Sequence, residues 1–300
     1  MTTAAPEALD VMVFGESIVD FFPEQPGPPL VEVERYRRHL GGAPTNVAVG
    51  LARQGTRVGL MTLVGPEDFG RFVRARLAAE GVDTAAVGTH PALKTAITFV
   101  AVADNGDRSF LFFRHPSADQ GIAPTDVDLS QIARARLFHV GSSTMAREPG
   151  RAATLAAVEA ALSAGKLLST DPNLRRHLWE RPDEAAPLIR SILARADVVK
   201  LSDDELAPIV DTADPEAGAR AVRTLGAKLV FVTMGARGCY YEGPRGRGYV
   251  PGEVVSVVDT TGAGDGFMAG VLATLAPRFA AGLTVVTSRL PLESATGRSK

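Results

Sequence analysis

The sequence predicts an α/β fold in which helices cover both faces of a mostly parallel sheet. Two observations carry this prediction. Short β-rich apolar runs alternate with longer stretches of helical periodicity, and glycines follow several of those stretches, where helices commonly end. Strands that alternate with helices pair in parallel through right-handed crossovers, which place helices on both faces of the sheet.

The first β-rich run, at 11–15, is apolar up to its closing glycine and is typical of a buried strand. Further short apolar runs follow along the chain and are predicted to be strands of the same sheet. They occupy residues 58–64, 136–140, 166–170, 198–201 and 229–233.

Helical stretches separate these runs. Residues 45–54 have a polar start and are followed by Gly55, and residues 69–80 are followed by Gly81, the position where a glycine often closes a helix. The remaining predicted helices occupy residues 151–164, 183–195 and 215–226.

Two segments break this alternation. Residues 21–40 begin Pro-rich and then alternate apolar and polar side chains over 31–36. Residues 95–114 form two β-rich arms around an Asn-Gly pair at 105–106, which is a strong hairpin signal. These segments are either two surface insertions or a small sheet that stands off the main domain. We favour the small sheet, because both segments are β-like and flank the first strand–helix units.

Composition excludes several classes of function. The chain has 300 residues, of which 45% are hydrophobic and 22% charged, so there is ample material for a core. The formal charge of −2 gives no general attraction to nucleic acid or to an anionic membrane. No apolar run reaches the ~18 residues of a membrane-spanning helix, and the first ten residues lack the pattern of a secretory signal. We therefore expect a soluble, cytoplasmic protein with neither a nucleic-acid nor a membrane partner.

The reactive side chains give further exclusions. Cys239 is the single cysteine, which excludes a disulfide framework and a cysteine-rich zinc module. The five histidines lack the spacing of a catalytic zinc site. No P-loop motif is present, and no G-x-G-x-x-G follows the first strand.

The strongest local signal is the segment DTTGAGDGFMAG at 259–270. Its small residues, Gly262, Ala263 and Gly264, let the backbone turn sharply before an apolar helix that starts near Asp265. Such a turn can point successive N–H groups at an anion, and the positive end of the helix dipole assists them. Asp265 would then act as the base that takes a proton from an attacking alcohol. Alternatively, Asp265 only caps the helix.

A second signal lies at the start of the first predicted helix. Gly41 and Gly42 allow a ligand to approach the backbone, and Asn46 offers both a donor and an acceptor to vicinal hydroxyls. Asp20 follows the first strand, at the end where open α/β sheets bind ligands. The alternatives are an ordinary loop-to-helix junction and a solvated carboxylate.

These two motifs, GGAPTNVAVGLARQG at 41–55 and DTTGAGDGFMAG, resemble the two signatures of the PfkB/ribokinase family of carbohydrate kinases. Shorter segments between them agree with the family, and the combination is most similar to bacterial fructokinases. The 2-keto-3-deoxygluconate kinases and the aminoimidazole riboside kinases follow closely. The agreeing segments lie at 112–119, 138–142, 171–175, 200–205 and 232–238.

The resemblance implies a ribokinase-like fold over 1–300 as a single kinase domain, with a small β lid formed by segments at about 21–40 and 92–116. It implies transfer of the γ-phosphoryl group of ATP to a sugar hydroxyl, with Mg²⁺. The lid has open edges and an apolar face, which suggests a homodimer through the lid.

The resemblance also implies a role for individual residues. Asp265 corresponds to the base, and the anion hole corresponds to Gly262, Ala263 and Gly264. The sugar-contacting positions correspond to Asp20, Gly41, Gly42, Asn46, Arg114 and Arg175. The nucleotide-binding positions correspond to Asn173, Lys200, Thr233, Gly235 and Gly238. Glu205 corresponds to a Mg²⁺ partner that acts through water; the alternative is that it belongs to a solvated acidic helix start. For Arg175, the alternative is an exposed side chain beside an Asp-Pro turn.

The chain departs from the family pattern after Pro277. Its tail shows neither the helix nor the turn that usually wall the adenine pocket and help to form a monovalent-cation site for K⁺. A catalytically weak sugar-binding homologue is therefore the alternative to a sugar kinase. Intact Asp265 argues against that alternative, since a pure binder needs no base.

Overall fold

The computed structural model describes residues 8–25, 27, 29–102, 108–255 and 260–280. In these ranges the chain forms thirteen strands and eight α-helices. The strands are β1 Leu9–Phe14, β2 Ile18–Pro23, β3 Tyr36–Gly41, β4 Val58–Val64, β5 Val87–Thr89, β6 Ala96–Val102, β7 Arg108–Phe113, β8 Ala135–Val140, β9 Leu167–Thr170, β10 Val198–Ser202, β11 Leu229–Thr233, β12 Cys239–Gly243 and β13 Gly246–Val250. The helices are α1 Ala43–Arg53, α2 Asp68–Ala79, α3 Leu129–Arg134, α4 Gly150–Ser163, α5 Ala185–Leu193, α6 Asp203–Val210, α7 Pro215–Leu225 and α8 Ala263–Ala280.

Nine strands form the main sheet, in the order β13-β12-β11-β10-β9-β8-β1-β4-β5. The pairs from β5 to β11 are parallel, whereas β12 and β13 form an antiparallel hairpin at one edge. Strand β1 lies between β4 and β8, so its C-terminal end is in the interior of the sheet. The parallel strands predicted from the sequence are thus confirmed.

The two faces of the sheet bury separate apolar cores. In β1, Val11 and Val13 pack into the core that α1, α2 and α8 cover, whereas Met12 and Phe14 pack into the core that α3 to α7 cover. Successive strand residues point to opposite faces, so an uninterrupted apolar run supplies both cores. The result is the predicted arrangement of a sheet between two layers of helices.

A separate four-stranded sheet, in the order β3-β2-β6-β7, confirms the smaller sheet. Strands β2 and β6 are parallel, and the other two pairs are antiparallel. The alternation predicted over 31–36 is wrong in its first part. Val31 lies in a 3-10 turn, Leu30–Glu32, that precedes strand β3, and it is 90% exposed. Side chains in such a turn do not alternate between two faces as those of a strand do. The turn predicted at 105–106 lies outside the described residues.

Some predicted elements differ in extent. A 3-10 turn, Pro182–Glu184, precedes α5, so that helix is shorter than the predicted 183–195. The apolar run VVSVVD at 254–259 also predicts a strand before the Gly-rich turn. Residues 254 and 255 are exposed and outside any strand, and 256–259 lie outside the described residues. The atypical tail is described only up to Ala280, the last residue of α8. In the described ranges, none of the helices has the length and hydropathy required to span a membrane.

Candidate active site

A cavity of about 640 Å³ lies where the C-terminal ends of the parallel strands face the small sheet. Its walls come from the loops after β1, β8 and β9, from the ends of β10 and β11, from the first turns of α1 and α8, and from β2, β6 and β7. Open α/β sheets commonly bind their ligands at this edge.

Most of the residues predicted to form the site line this one cavity. They are Asp20, Gly42, Asn46, Arg114, Asn173, Arg175, Lys200, Glu205, Thr233, Gly262, Gly264 and Asp265. Four other predicted residues do not line it, and these are Gly41, Gly235, Gly238 and Ala263.

The two signature motifs meet in a single hydrogen bond. The Asn46 side-chain amide donates from Nδ2 to Oδ2 of Asp265 at 2.7 Å, although 219 positions separate the two residues. Close packing of α1 on α8 makes this possible, because a Cβ on Gly50 would lie only 2.7 Å from the Cβ of Ala269. Asp265 is therefore oriented by the first turn of α1.

The surroundings of Asp265 suit a general base. Its side chain is 6% exposed, and burial raises its pKa, an effect that Glu16 reinforces. The Asn46 hydrogen bond and the positive charges of Lys200 and Arg175 act in the opposite direction, and the pKa remains raised overall. A carboxylate with a raised pKa is a stronger proton acceptor, which is the property that deprotonation of an alcohol needs.

The turn before α8 supplies fewer amides than the sequence suggests. Gly262 has a positive φ of 76°, which a glycine adopts without strain. The Ala263 amide donates to the Thr260 carbonyl at 3.1 Å and is thus used within the turn. The next amides, those of Gly264 and Asp265, lie in the first helical turn, where an α-helix has no acceptor for its own N–H groups.

A buried ion pair lies beside this helix start. The Lys200 ammonium donates from Nζ to Oδ2 of Asp171 at 2.9 Å, and both side chains are almost fully buried. A Cβ on Gly264 would lie 2.9 Å from that Nζ, so the glycine leaves the space that the ammonium occupies. Burial raises the pKa of Asp171 to about 7, and its Oδ1 has no hydrogen-bond partner in the described part of the chain. The lysine and the helix dipole together make this end of the cavity suitable for phosphate.

The opposite end of the cavity is acidic. Burial raises the pKa of Asp20 to about 6. Arg114 is itself buried and donates to Oδ2 of Asp119 from Nε at 2.9 Å and from Nη2 at 2.6 Å, so an ion pair already satisfies most of its charge. Gly41 is required at its position because it has no Cβ, and a Cβ there would lie 1.9 Å from Oδ2 of Asp20. Gly41 thus leaves room for this carboxylate and does not line the cavity itself.

Glu205 is a buried structural anchor as well as a cavity residue. Its Oε1 accepts a hydrogen bond from the Leu174 amide at 2.6 Å, and its Oε2 accepts from the amide and the hydroxyl of Ser202 at 2.8 and 2.7 Å. These bonds cap α6 and tie it to the loop after β9, which carries Asn173 and Arg175. The side chain is thus not part of a solvated helix start.

The predicted nucleotide turn follows β11. Thr233 reaches the cavity and donates from its hydroxyl to the Leu201 carbonyl at 3.3 Å. Gly235 and Gly238 bound a 3-10 turn outside the cavity wall, and both have positive φ. At Gly238 a Cβ would lie 2.1 Å from the Val250 carbonyl oxygen, so a glycine is needed for the turn to pack against β13.

A family model described as the pfkB family carbohydrate kinases matches residues 8–288 of this chain. The chain belongs to the PfkB family of carbohydrate kinases. As a member of this family it is a sugar kinase, a phosphotransferase with an alcohol acceptor, and its fold is the ribokinase-like fold.

Relatives within the PfkB family agree in sequence and in fold. The chain is 40% identical over 269 residues to the probable fructokinase-7 of Arabidopsis thaliana, covering 89% of this chain and 78% of the relative. The fructokinase of Xylella fastidiosa with bound ATP superposes with a TM-score of 0.81 at 33% identity, covering 90% of this chain and 82% of that one. A double mutant of the fructokinase of Vibrio cholerae O395, bound to fructose, ADP and potassium ion, has a TM-score of 0.81 at 34% identity, with coverage of 91% and 85%.

Several cavity residues were not singled out from the sequence. Glu16 and Ser143 line the cavity, as do three rings at its mouth, Phe110, Phe112 and His177. Glu16 directly follows the glycine that ends the first strand, so its position after a strand was a usable signal. The three rings stack in sequence, with centroid separations of 5.7 Å and 5.5 Å, and no sequence pattern indicates that contact.

Proposed function

We propose that this member of the PfkB family transfers the γ-phosphoryl group of ATP to a hydroxyl of fructose, within one kinase domain. The charge at the sugar end of the cavity carries the choice of substrate. Asp20 and Glu16 contribute carboxylates there, and Arg114, the buried cation among the described residues at this end, is already paired with Asp119. This surface suits the hydroxyls of a neutral sugar and disfavours a carboxylate-bearing one.

The residues around the cavity account for the steps of phosphoryl transfer. Asp265, held by Asn46, accepts the proton of the acceptor hydroxyl while the sugar oxygen attacks phosphorus in line. The first-turn amides of α8 and the Lys200 ammonium offset the charge of the transferring group. The lid strands β6 and β7, whose residues Thr98, Phe110 and Phe112 line the cavity, exclude water that would hydrolyse ATP.

The carboxylate of Glu205 is suited to hold magnesium through a bound water. In the described ranges, no group of three acidic, cysteine or histidine side chains is arranged to hold a metal ion directly. Magnesium usually keeps several waters and binds substrate phosphates. The three hydrogen bonds to Glu205 leave about one of the four acceptor sites of its carboxylate for such a water. When bound, the ion would offset the charge of the β- and γ-phosphates.

Potassium is a further expected cofactor. In its sequence, the tail after Pro277 does not show the helix and the turn that help to form the family's monovalent-cation site, and most of that tail lies outside the described residues. We therefore base the proposal for K⁺ only on the relative that is named with a bound potassium ion.

A second candidate substrate is 2-keto-3-deoxygluconate. It is favoured by Arg175, whose exposed side chain lines the cavity and could meet a carboxylate. Fructose remains the first choice, because Arg175, like Lys200, lowers the pKa of Asp265, which places its charge with the phosphate-binding residues. At the acidic end, within the described residues, the buried cation Arg114 is already paired with Asp119.

An ADP-release assay with ATP and Mg²⁺ tests the substrate. Fructose, 2-keto-3-deoxygluconate, ribose and aminoimidazole riboside are compared by kcat/KM. We expect fructose to give the highest value, and Asp20→Asn to raise the KM for sugar while leaving the KM for ATP near the wild-type value. A higher kcat/KM for the keto acid, lost in Arg175→Gln, would establish the second candidate instead. Sugar binding by calorimetry without turnover of any sugar would identify a binding protein.

We also propose that a second copy of the chain pairs through the small sheet. Strand β7 is at the edge of that sheet, and the exposed side chains of Leu111 and Phe113 point away from the face that Phe110 and Phe112 turn to the cavity. Pairing would cover this apolar edge. Light scattering is expected to give the mass of a dimer; the mass of a monomer at micromolar concentration would exclude it.

A further inference from the structure

Glu16 connects the two halves of the cavity. It follows the end of β1 and is 6% exposed. Its Oε1 accepts a hydrogen bond from the Ala43 amide at 3.2 Å, and its Oε2 accepts one from the Ser143 hydroxyl. Its carbonyl oxygen accepts a further bond from the Thr45 hydroxyl at 3.0 Å. One buried residue is thus bonded to α1 and to the loop after β8.

Each of these bonds leads to a residue of the proposed mechanism. Ala43 and Thr45 belong to the first turn of α1, which carries Asn46, and Asn46 is bonded to Asp265. On the other side, Arg114 donates from Nη2 to the Ser143 hydroxyl at 3.3 Å, and that hydroxyl donates to Glu16. A continuous chain of hydrogen bonds and helix backbone therefore runs from the sugar end, through Glu16, to the base.

The carboxylate charge acts over the same region. Its negative charge raises the pKa of Asp20 and of Asp265, in addition to the larger effect of burial. The other charges that face Asp265 are Lys200 and Arg175, which lower its pKa, and the carboxylate of Asp171. Glu16 is thus an acidic residue that acts on the pKa of the base and is also hydrogen-bonded to the helix that orients the base.

We propose that Glu16 is a positioning residue for phosphoryl transfer. It keeps the first turn of α1 and the Ser143–Arg114 pair in fixed positions relative to each other on the two sides of the sugar site. The inference rests on the proposed function. Glu16 takes no proton and contacts no reacting atom; in addition to its charge at the sugar end, it acts through the residues that orient Asn46 and Arg114. A displacement of about 1 Å at a reacting group can cost roughly a hundredfold in rate.

The test is Glu16→Gln, assayed with whichever sugar the wild-type enzyme phosphorylates best, so that a wrong choice of fructose leaves this inference intact. Glutamine can still accept from the Ala43 amide, but it presents an N–H group to Ser143 or loses that bond. We expect kcat/KM for sugar to fall about ten- to a hundredfold. We also expect the acid limb of its pH profile to move to lower pH, because the loss of a negative charge lowers the pKa of Asp265.

Thr45→Val is the matched control. It removes the other bond between the same two segments but keeps the carboxylate, so its acid limb should stay at the wild-type position even if stability falls. A folded Glu16→Gln enzyme with the wild-type kcat/KM and pH profile would overturn the proposal. If that variant does not fold, Glu16→Asp is the alternative test, because the shorter side chain keeps the charge but cannot reach both Ala43 and Ser143. A lowered kcat/KM with an unmoved acid limb would then support the proposal. Wild-type kinetics would refute it.

Discussion

Asp265→Asn is expected to lower kcat by about 10²–10⁴-fold, the usual contribution of a positioned proton acceptor. Asparagine can still accept the Asn46 hydrogen bond through its carbonyl oxygen, so the local geometry is kept while the basic group is lost. The pKa of Asp265 is raised in the folded protein, so its ionised form costs stability as the pH rises through that pKa. The neutral variant should therefore be at least as stable as the wild-type protein at pH 8. Steady-state kinetics and thermal unfolding measure the two effects.

Asp68→Asn is the matched control for this substitution. Asp68 also lies in the first turn of a helix, α2, but its exposed side chain pairs with Arg71 at the surface and does not line the cavity. Its kcat should equal that of the wild-type enzyme. Binding of ATP, followed by calorimetry, should survive in both variants. If Asp265→Asn retains near-wild-type turnover, another group is the base, and the mechanism proposed for this cavity is wrong.

Local sequence patterns were sufficient for the central sheet because its strands are buried on both faces. The strands β4 and β11 begin and end where the apolar runs do, and Gly55 and Gly81 follow α1 and α2 as predicted. Elements with polar or exposed surfaces are harder to predict from the sequence. Helix α6 starts from three acidic residues, and β13 carries glycines and charges in place of an apolar run.

The site was predictable where a motif fixes the backbone and less so where the tertiary structure joins distant side chains. The turn at 262–264 was identified from its small residues, but the use of the Ala263 amide within that turn depends on its detailed geometry. The family resemblance implies sugar contact for Gly41, whereas the structure shows that this glycine makes room for Asp20. The pairing of Asp171 with Lys200 joins residues 29 positions apart, and neither residue's own segment indicates the other.

Lys200→Met is expected to lower the free energy of unfolding by about 1–2 kcal/mol at pH 8, because it removes the partner of the buried Asp171 carboxylate. The loss is no larger because the pKa of Asp171 is already about 7 with the lysine present, so the unpaired carboxyl takes up a proton instead of staying charged. The double variant Asp171→Asn/Lys200→Met should recover most of that loss, since a buried ion pair can often be replaced by neutral groups at little cost. Urea unfolding of the wild type, both single variants and the double variant measures this coupling. A double variant as unstable as Lys200→Met would show that the ion pair is not the cause.

The pH dependence of the same variants identifies the charge responsible. The pKa of Asp171 is about 7 in the folded protein against an ordinary value of 3.8, and Lys200 lowers it, so removal of Lys200 raises it further. A folded-state pKa above the unfolded value means that stability is retained at low pH and lost as the pH rises. The deficit of Lys200→Met should therefore be small at pH 5, where Asp171 is protonated, and grow towards pH 8. Restored stability in the double variant should not restore phosphate binding, because the ammonium beside Gly264 is still absent. We expect both the single variant Lys200→Met and the double variant to show a raised KM for ATP or a lowered kcat. If the double variant does so at wild-type stability, the phosphate-binding role of this lysine is separated from its part in folding.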